Sequence, residues 1–437
     1  MVTVTRVAKV MQEVLGTKAN QLAEETGFMQ RERVLTGSSF IMGLMSGWQA
    51  EPQSSLSGLS QAIANAGTPL TRQALDQRFD DRAVSFAYQM LKAGLEVMIK
   101  ATPPPTKGLL DRFTSVDIGD SSIITLPNGL ETIWQGCGGF GANASVSSLK
   151  INVRWDVKSG QLKILELSDG TQHDKHSLAH QAPVEVGSLR IEDLGYFSLD
   201  DLETVAEQGG YYLTRYKQKT AVYHADGQRL DLATWLPQQV GKPVDCAVWV
   251  GVTKQLACRL VAERVPDEVV EQRHERLREE ARQAQRAVSE DALRMAYWTI
   301  YLTNVPPSLL STEEVFLLGQ YRWQIELLFK LWKSDLQVDQ WRTHNPHRIL
   351  CELYIKLLGA IVAHWLLLMA CWHNPRRSLR QAIPTVRGLA WQLANSLSRL
   401  SLLKHALHSF CRSLACCRMD KSRDHPRAFQ YIYTQVA

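Results

Sequence analysis

The residues best suited to chemistry in this chain are Arg322, Glu326 and Lys333, carried by the segment GQYRWQIELLFKLWK at positions 319–333. At about 100° per residue the three fall within roughly 60° of one another around a helix axis. They make one polar stripe, a carboxylate between two cations. Beside it Ile325, Leu328, Phe329 and Trp332 recur at i, i+3, i+4 and i+7, the apolar face of a helix that packs on a core. Glu326 therefore sits where a core edge meets charge. A carboxylate there can ligate a hard cation, while a guanidinium and an ammonium can hold phosphate oxygens. The same spacing also suits a plain surface helix with charge pairs one turn apart, so the choice rests on what accompanies the helix.

Metal-ligating carboxylates must converge from separate elements, and the chain offers strands that could carry them. From Arg112 the apolar period changes to two, and residues 115–126 supply one or two strands. LKINVRWDV (149–157) alternates apolar with polar before a KSGQ turn and LKILEL (162–167), a hairpin. A strand through 189–191, a helix near 199–208 and a strand at 211–215 follow. Strands first, then helices alternating with strands, are what a ribonuclease H-like α/β domain requires, a mixed sheet flanked by helices. Residues 218–262 return to short β-like runs that interrupt the domain, and 263–294 is a charged, solvated helical run.

Residues 1–101 read as helices, and TPPPTK (102–107) cannot continue one, because proline removes a donor and restricts its neighbour. A domain boundary is expected there. Within the first part Leu56, Leu59 and Ile63 share a helical face, Gly67 and Pro69 turn the chain, and TRQALDQRF (71–79) restarts a helix with Thr71 as N-cap. Helix, glycine turn, helix is the plan of a helix-turn-helix, and it would present Arg72, Gln73, Gln77 and Arg78 to DNA. Many small helical domains contain such a pair without binding DNA.

Composition sets limits. A chain of 437 residues predicts two to four domains. Its 45% hydrophobic and 21% charged residues are those of an ordinary soluble protein, and a net charge of +5 does not by itself declare a nucleic-acid binder. Distribution says more: residues 376–427 hold eleven Arg and Lys against Asp420 and Asp424, an excess that suits phosphate contact or a solvated helical surface equally. The eight cysteines show neither metal-ligand spacing nor a disulfide framework, so reduced thiols in a cytosolic protein are expected. The N-terminus lacks the apolar stretch of a secretion signal. LYIKLLGAIVAHWLLLMACW (353–372) is long enough to span a bilayer, but Lys356 and His364 interrupt it, and a buried helix against the central sheet is expected instead.

The block around Glu326 resembles the Tyr-Arg-Glu-Lys signature of bacterial insertion-sequence transposases with a DDE catalytic triad, in which Arg, three residues, Glu, six residues and Lys recur in order. Arg322, Glu326 and Lys333 match that spacing, while Gly319 stands where the family has its Tyr and Tyr321 lies two positions later. The resemblance extends to WTIYLTNVP (298–306), similar to the family's strand before this helix, to IEDLGYFSLDDLETVAEQGGYYLTRYK (191–217), similar to its second-aspartate segment, and to VDIGDSSIITLP (116–127), similar to its first. Together these cover most of 116–372 in the family's order.

That resemblance implies a metal-dependent phosphoryl transfer at DNA. Asp120 occupies the position of the family's first aspartate, with Ser122 in place of a threonine; Asp117 competes, but an odd separation along a strand points the two to opposite faces. Asp193 is the second acid, followed by Leu194 where the family usually has a basic residue, and Glu326 is the third. Two Mg²⁺ ions roughly 4 Å apart, with Mn²⁺ able to substitute, would be held by the three acids. Arg322 and Lys333 would bind phosphates of the transposon end, with Lys330 and Tyr321 nearby, and Trp298 and Trp323 would stack on a displaced base. Core packing is the alternative for both tryptophans.

The organisation implied is a helical DNA-binding domain at 1–101, a catalytic domain in two parts at 108–217 and 297–372, a β-rich insertion with a charged helix at 218–296, and a basic helical region at 373–437. The expected partners are double-stranded DNA, as transposon ends and target, and a second copy in a synaptic homodimer, with no membrane. A cytoplasmic, nucleoid-associated protein follows. A metal-dependent nuclease that cuts without joining, and a non-catalytic DNA-binding regulator of transposition, remain alternatives.

Overall fold

The computed structural model describes residues 3–31, 34–101, 108–138, 145–239, 241, 243–372, 374 and 377–416. The period-two segments form strands β1 (Val116–Thr125), β2 (Ser148–Asp156), β3 (Leu162–Asp169), β4 (Leu189–Glu192), β5 (Tyr211–Arg215), β6 (Val222–His224), β7 (Arg229–Leu230), β8 (Val244–Val250), β9 (Leu256–Arg264) and β10 (Trp298–Thr303). They make one ten-stranded mixed sheet in the order β3-β2-β1-β4-β5-β10-β9-β8-β6-β7. β2 and β3 pair antiparallel as a hairpin, whereas β1, β4 and β5 run parallel. This is the ribonuclease H-like arrangement of a hairpin followed by parallel strands, and the antiparallel β6–β9 are inserted before β10.

The chain divides into two compact units that interleave along the sequence. One holds the described residues of Met1–Thr106, Ser121–His173 and Ile325–Gln430, the other those of Lys107–Asp120 and Asp174–Gln324. The first is built around the helix Pro346–Ala370, in which every residue from Arg348 to Ala370 is buried. A helix apolar on all sides needs cover on all sides. Much of its cover comes from the helices Asp81–Glu96 and Gly37–Ala50, and its His364 meets Trp155 of β2, so the sheet that the sequence suggested covers part of it. This helix is long and apolar enough to cross a membrane, yet its apolar stretch is wholly buried inside the protein. Its interrupting charges are satisfied internally: Lys356 Nζ lies 2.7 Å from Glu352 Oε1 and donates to the carbonyls of Gln337 and Gln340 at 3.1 and 2.7 Å. Burial pulls the Lys356 ammonium down and pushes the Glu352 carboxyl up from their ordinary values, each opposed by the other's charge.

The proline-rich segment expected to separate an N-terminal domain lies outside the described residues. On either side of it the N-terminal helices share the first unit's core: Val4–Gln12 packs on Leu400–Leu414, and Gly37–Ala50 on Leu379–Ser396. The helix-turn-helix region forms as Leu56–Asn65 and Arg72–Asp76, with the Thr71 hydroxyl accepting from the Ala74 amide at 3.2 Å as an N-cap. β2 also departs from the simple alternation. All nine of its residues are buried, with Lys150 donating to the Gln172 carbonyl at 2.6 Å and Asn152 to Ser168 at 2.9 Å. In the second unit Val222, Leu236, Val248, Leu260 and Ile300 form the core under the inserted strands, and the helix Asp267–Gln283 buries little besides Val270 and Ala281.

Candidate active site

Parallel pairing decides where the two aspartates fall. β1 and β4 are in register from Val116 against Leu189 to Gly119 against Glu192, so Asp120 and Asp193 are the next residues at one level of two adjacent strands. Asp193 directly follows the last residue of β4, and Asp120 lies midway along β1, at the level where its parallel pairing with β4 ends. Asp193 ends its strand and caps the turn Leu194–Tyr196. Asp117 is buried at 2% exposure, whereas the Asp120 carboxylate is about a fifth exposed. The two acids also share a cation, for Arg322 Nη1 lies 3.5 Å from Asp120 Oδ2 and Arg322 Nε lies 3.9 Å from Asp193 Oδ1.

The segment around Arg322 is not one unbroken helix, as ideal periodicity suggested. A helix over Thr312–Tyr321 ends at Arg322, a second runs Trp323–Lys330, and a π-helix follows at Leu331–Asp335. A π turn adds a residue per turn, which shifts Lys333 away from the even stripe. Its ammonium donates to the Ile123 carbonyl of β1 at 2.5 Å, and burial pulls it below the ordinary lysine range. Position 319, where the signature's tyrosine is missing, has a steric explanation: a Cβ there would overlap the ring of Tyr301 from β10. Glycine makes room for an aromatic that comes from the neighbouring strand.

The remaining sequence candidates sort by accessibility. Trp323 is 55% exposed beside Arg322, and Lys330 is exposed. Trp298 is 9% exposed within the core of the inserted strands, and Tyr321 is 1% exposed, so in this conformation both rings are packed and neither faces solvent. At the N-terminal helices Arg72 is exposed, while Arg78 is half-buried with its guanidinium 5.9 Å from the Phe28 ring centroid. Of the C-terminal basic residues, Arg377 donates to the Ala370 carbonyl and Arg380 pairs with Asp335 at 3.4 Å; Arg376 lies outside the described residues.

Sequence reading missed two groups. One is a cleft lined by Arg215, Arg264 and Arg273 with Tyr301, Phe316 and Gln320; the other is a buried cluster of His180, Arg190 and Glu192 beside Asp193. Neither has a recognisable motif: the first gathers residues from three strands and two helices, and the second joins a short helix at Leu178–Gln181 to β4. Among the described residues no three His, Cys, Asp or Glu side chains are grouped as a ready metal site. Two hard carboxylates converging on one guanidinium nevertheless fit a divalent cation in their donor chemistry.

The transposase DDE domain family matches residues 112–362, more than half of the chain. The transposase for insertion sequence element IS231F of Bacillus thuringiensis subsp. israelensis is 30% identical over 78% of this chain and 75% of its own length. The transposase for IS1151 of Clostridium perfringens is 25% identical over 79% of this chain and 76% of its own. Among solved structures, the piggyBac transposase synaptic complex with hairpin DNA covers 98% of this chain and 87% of its own at a TM-score of 0.46 and 10% identity. The segment that carries Asp120, Asp193, Arg322 and Glu326 lies wholly inside the matched region, and the chain belongs to the DDE transposases of bacterial insertion sequences.

Proposed function

We propose that this transposase binds the ends of its own element, cuts one strand by hydrolysis and uses the freed 3′-OH in strand transfer, with Asp120, Asp193 and Glu326 as its acids. The observation that carries the reading is the position of Asp120 and Asp193 at one level of two adjacent parallel strands, near the same guanidinium. Glu326 enters as the third acid from its spacing to Arg322 and Lys333 in the signature. Mg²⁺ bound by these acids would supply charge neutralisation at the attacking and leaving oxygens of the phosphoryl group.

The chain's own residues do the rest. Contacts of 3.5 and 3.9 Å from Arg322 to the aspartates are longer than the ~2.8 Å of a charge-assisted hydrogen bond. The guanidinium offsets the mutual repulsion of the two carboxylates, and its planar fork suits a phosphate. Trp323, exposed next to it, is placed to stack on an unpaired base. Arg72, with Gln73 and Gln77, would meet end DNA from the N-terminal helices.

The test is a set of isosteric variants. Asp120→Asn, Asp193→Asn and Glu326→Gln should each lower Mg²⁺-dependent cleavage of end DNA by more than about 100-fold, since even outer-shell changes cost 10–100-fold. Gel shifts in EDTA should show end binding intact. Retained cleavage in any of the three would remove that residue from the set.

A further inference from the structure

The residues immediately before the two aspartates are locked together in a way that the reaction does not itself require. Gly119 of β1 lies opposite Glu192 of β4. The Glu192 side chain folds across the bare backbone of Gly119, where a Cβ would come within 2.9 Å of Glu192 Oε1. Its carboxylate accepts from Arg190 Nη2 at 2.6 Å and lies 3.0 Å from His180 Nδ1. The other edge of the imidazole meets Asp201 Oδ2 at 3.0 Å, and its face lies on the Tyr196 ring at 5.2 Å between centroids. Arg190 also donates to the His180 carbonyl.

This cluster touches the elements that flank Asp193 in sequence. Glu192 precedes it, Tyr196 ends the turn that it caps, and Asp201 sits in the first turn of the following helix Leu199–Glu207. Through Gly119 it also grips the strand that carries Asp120. Arg190 Nη2 at 2.6 Å and His180 Nδ1 at 3.0 Å hold the two oxygens of the Glu192 carboxylate between them. His180 and Arg190 are 3% and 8% exposed, too deep to meet DNA directly.

We propose that Glu192, clasped by Arg190 and His180 across Gly119, is a positioning residue that sets the spacing of the Asp120 and Asp193 carboxylates and with it their affinity for a divalent cation. The proposal rests on the reading of those two aspartates as metal ligands. Residues behind a ligating carboxylate tune affinity by about 10–100-fold when they are removed.

Calcium titration calorimetry on the full chain, without DNA, tests it apart from turnover. Asp120→Asn should abolish Ca²⁺ binding; if it does not, the reading of the aspartates is wrong and the clasp falls with it. Given that loss, Glu192→Gln, which keeps the shape and removes the charge, should weaken Ca²⁺ binding about ten-fold with end-DNA binding in EDTA unchanged. Gly119→Ala, which displaces Glu192, should act in the same direction. Should Glu192→Gln fail to fold, Asp201→Asn decides, because that partly exposed partner can be neutralised without stranding a buried charge; it should weaken Ca²⁺ binding by several-fold. A folded Glu192→Gln or Asp201→Asn protein with a lowered melting midpoint and wild-type Ca²⁺ affinity would reduce the cluster to a stabilising contact and overturn the proposal.

Discussion

Arg322 and Lys333 occupy matching places in the signature, yet their surroundings assign them different work. Arg322 is partly exposed between two carboxylates, whereas Lys333 is spent on the Ile123 carbonyl. Removing a phosphate contact flattens the slope of log K against log salt by about 0.9. Arg322→Ala should show that change in end-DNA binding measured from about 50 to 200 mM salt. Lys333→Met should flatten the slope less and instead lower stability by about 1.5–3 kcal/mol, the range for a hydrogen bond from a charged group, read from urea midpoints. A full unit of slope lost at Lys333 would mean that the ammonium leaves Ile123 when DNA arrives. The two tryptophans divide likewise. Trp323→Ala should weaken binding of an end with unpaired bases by about 1–3 kcal/mol and leave melting unchanged, while Trp298→Ala should lower the melting midpoint first. Spacing identified Arg322 and Lys333, and the family resemblance pointed to the two tryptophans, but side-chain commitments such as that of Lys333 depend on a strand two hundred residues away, which no local pattern records.

At the scale of elements, most strands and helices were legible because period and punctuation agree. The hairpin β2–β3, the strand ends at Asp193 and the cap at Thr71 all follow from alternation, turn residues and capping chemistry. The helix of Glu326 was legible only as a helix. Its break at Arg322 and its π turn come from packing, and the fit of Tyr301 over Gly319 is one such constraint. Gly319→Ala should therefore cost about 1–3 kcal/mol through overpacking, and Tyr301→Ala in the same chain should recover part of it by removing the ring; additive losses in thermal denaturation would refute the steric explanation. The buried helix Pro346–Ala370 carries a second consequence. His364 donates to the Gly160 carbonyl at 2.7 Å beside Trp155, and burial pulls its ring down to about 4 from 6.5. The unfolded chain takes up a proton near pH 6.5 that the folded chain refuses until about pH 4. Stability should thus fall with decreasing pH across that window by up to about 1.4 kcal/mol per unit from this group. Urea midpoints of His364→Gln should show a shallower dependence between those limits than the parent protein.

For the whole molecule, the apolar period of a helix shows which face is covered but not by what. Leu56, Leu59 and Ile63 were recognisable as a buried face, yet the covering of Gly37–Ala50 by Leu379–Ser396, and of Asp81–Glu96 by Pro346–Ala370, joins ends of the sequence that no short-range signal connects. A fragment of residues 1–101 should accordingly be helical but lack a cooperative melt and bind a hydrophobic dye, while the full chain melts sharply; a sharply melting fragment would restore an independent N-terminal domain. The same closure has a meaning for synthesis. Val4–Gln12 is synthesised long before Leu400–Leu414, on which it packs, and at about 5–20 residues per second the earlier helix waits tens of seconds for its cover. Until then a partial product has an open core and is exposed to proteases and chaperones. A message cut short inside the gene should therefore yield a product that is degraded rather than a stably folded fragment.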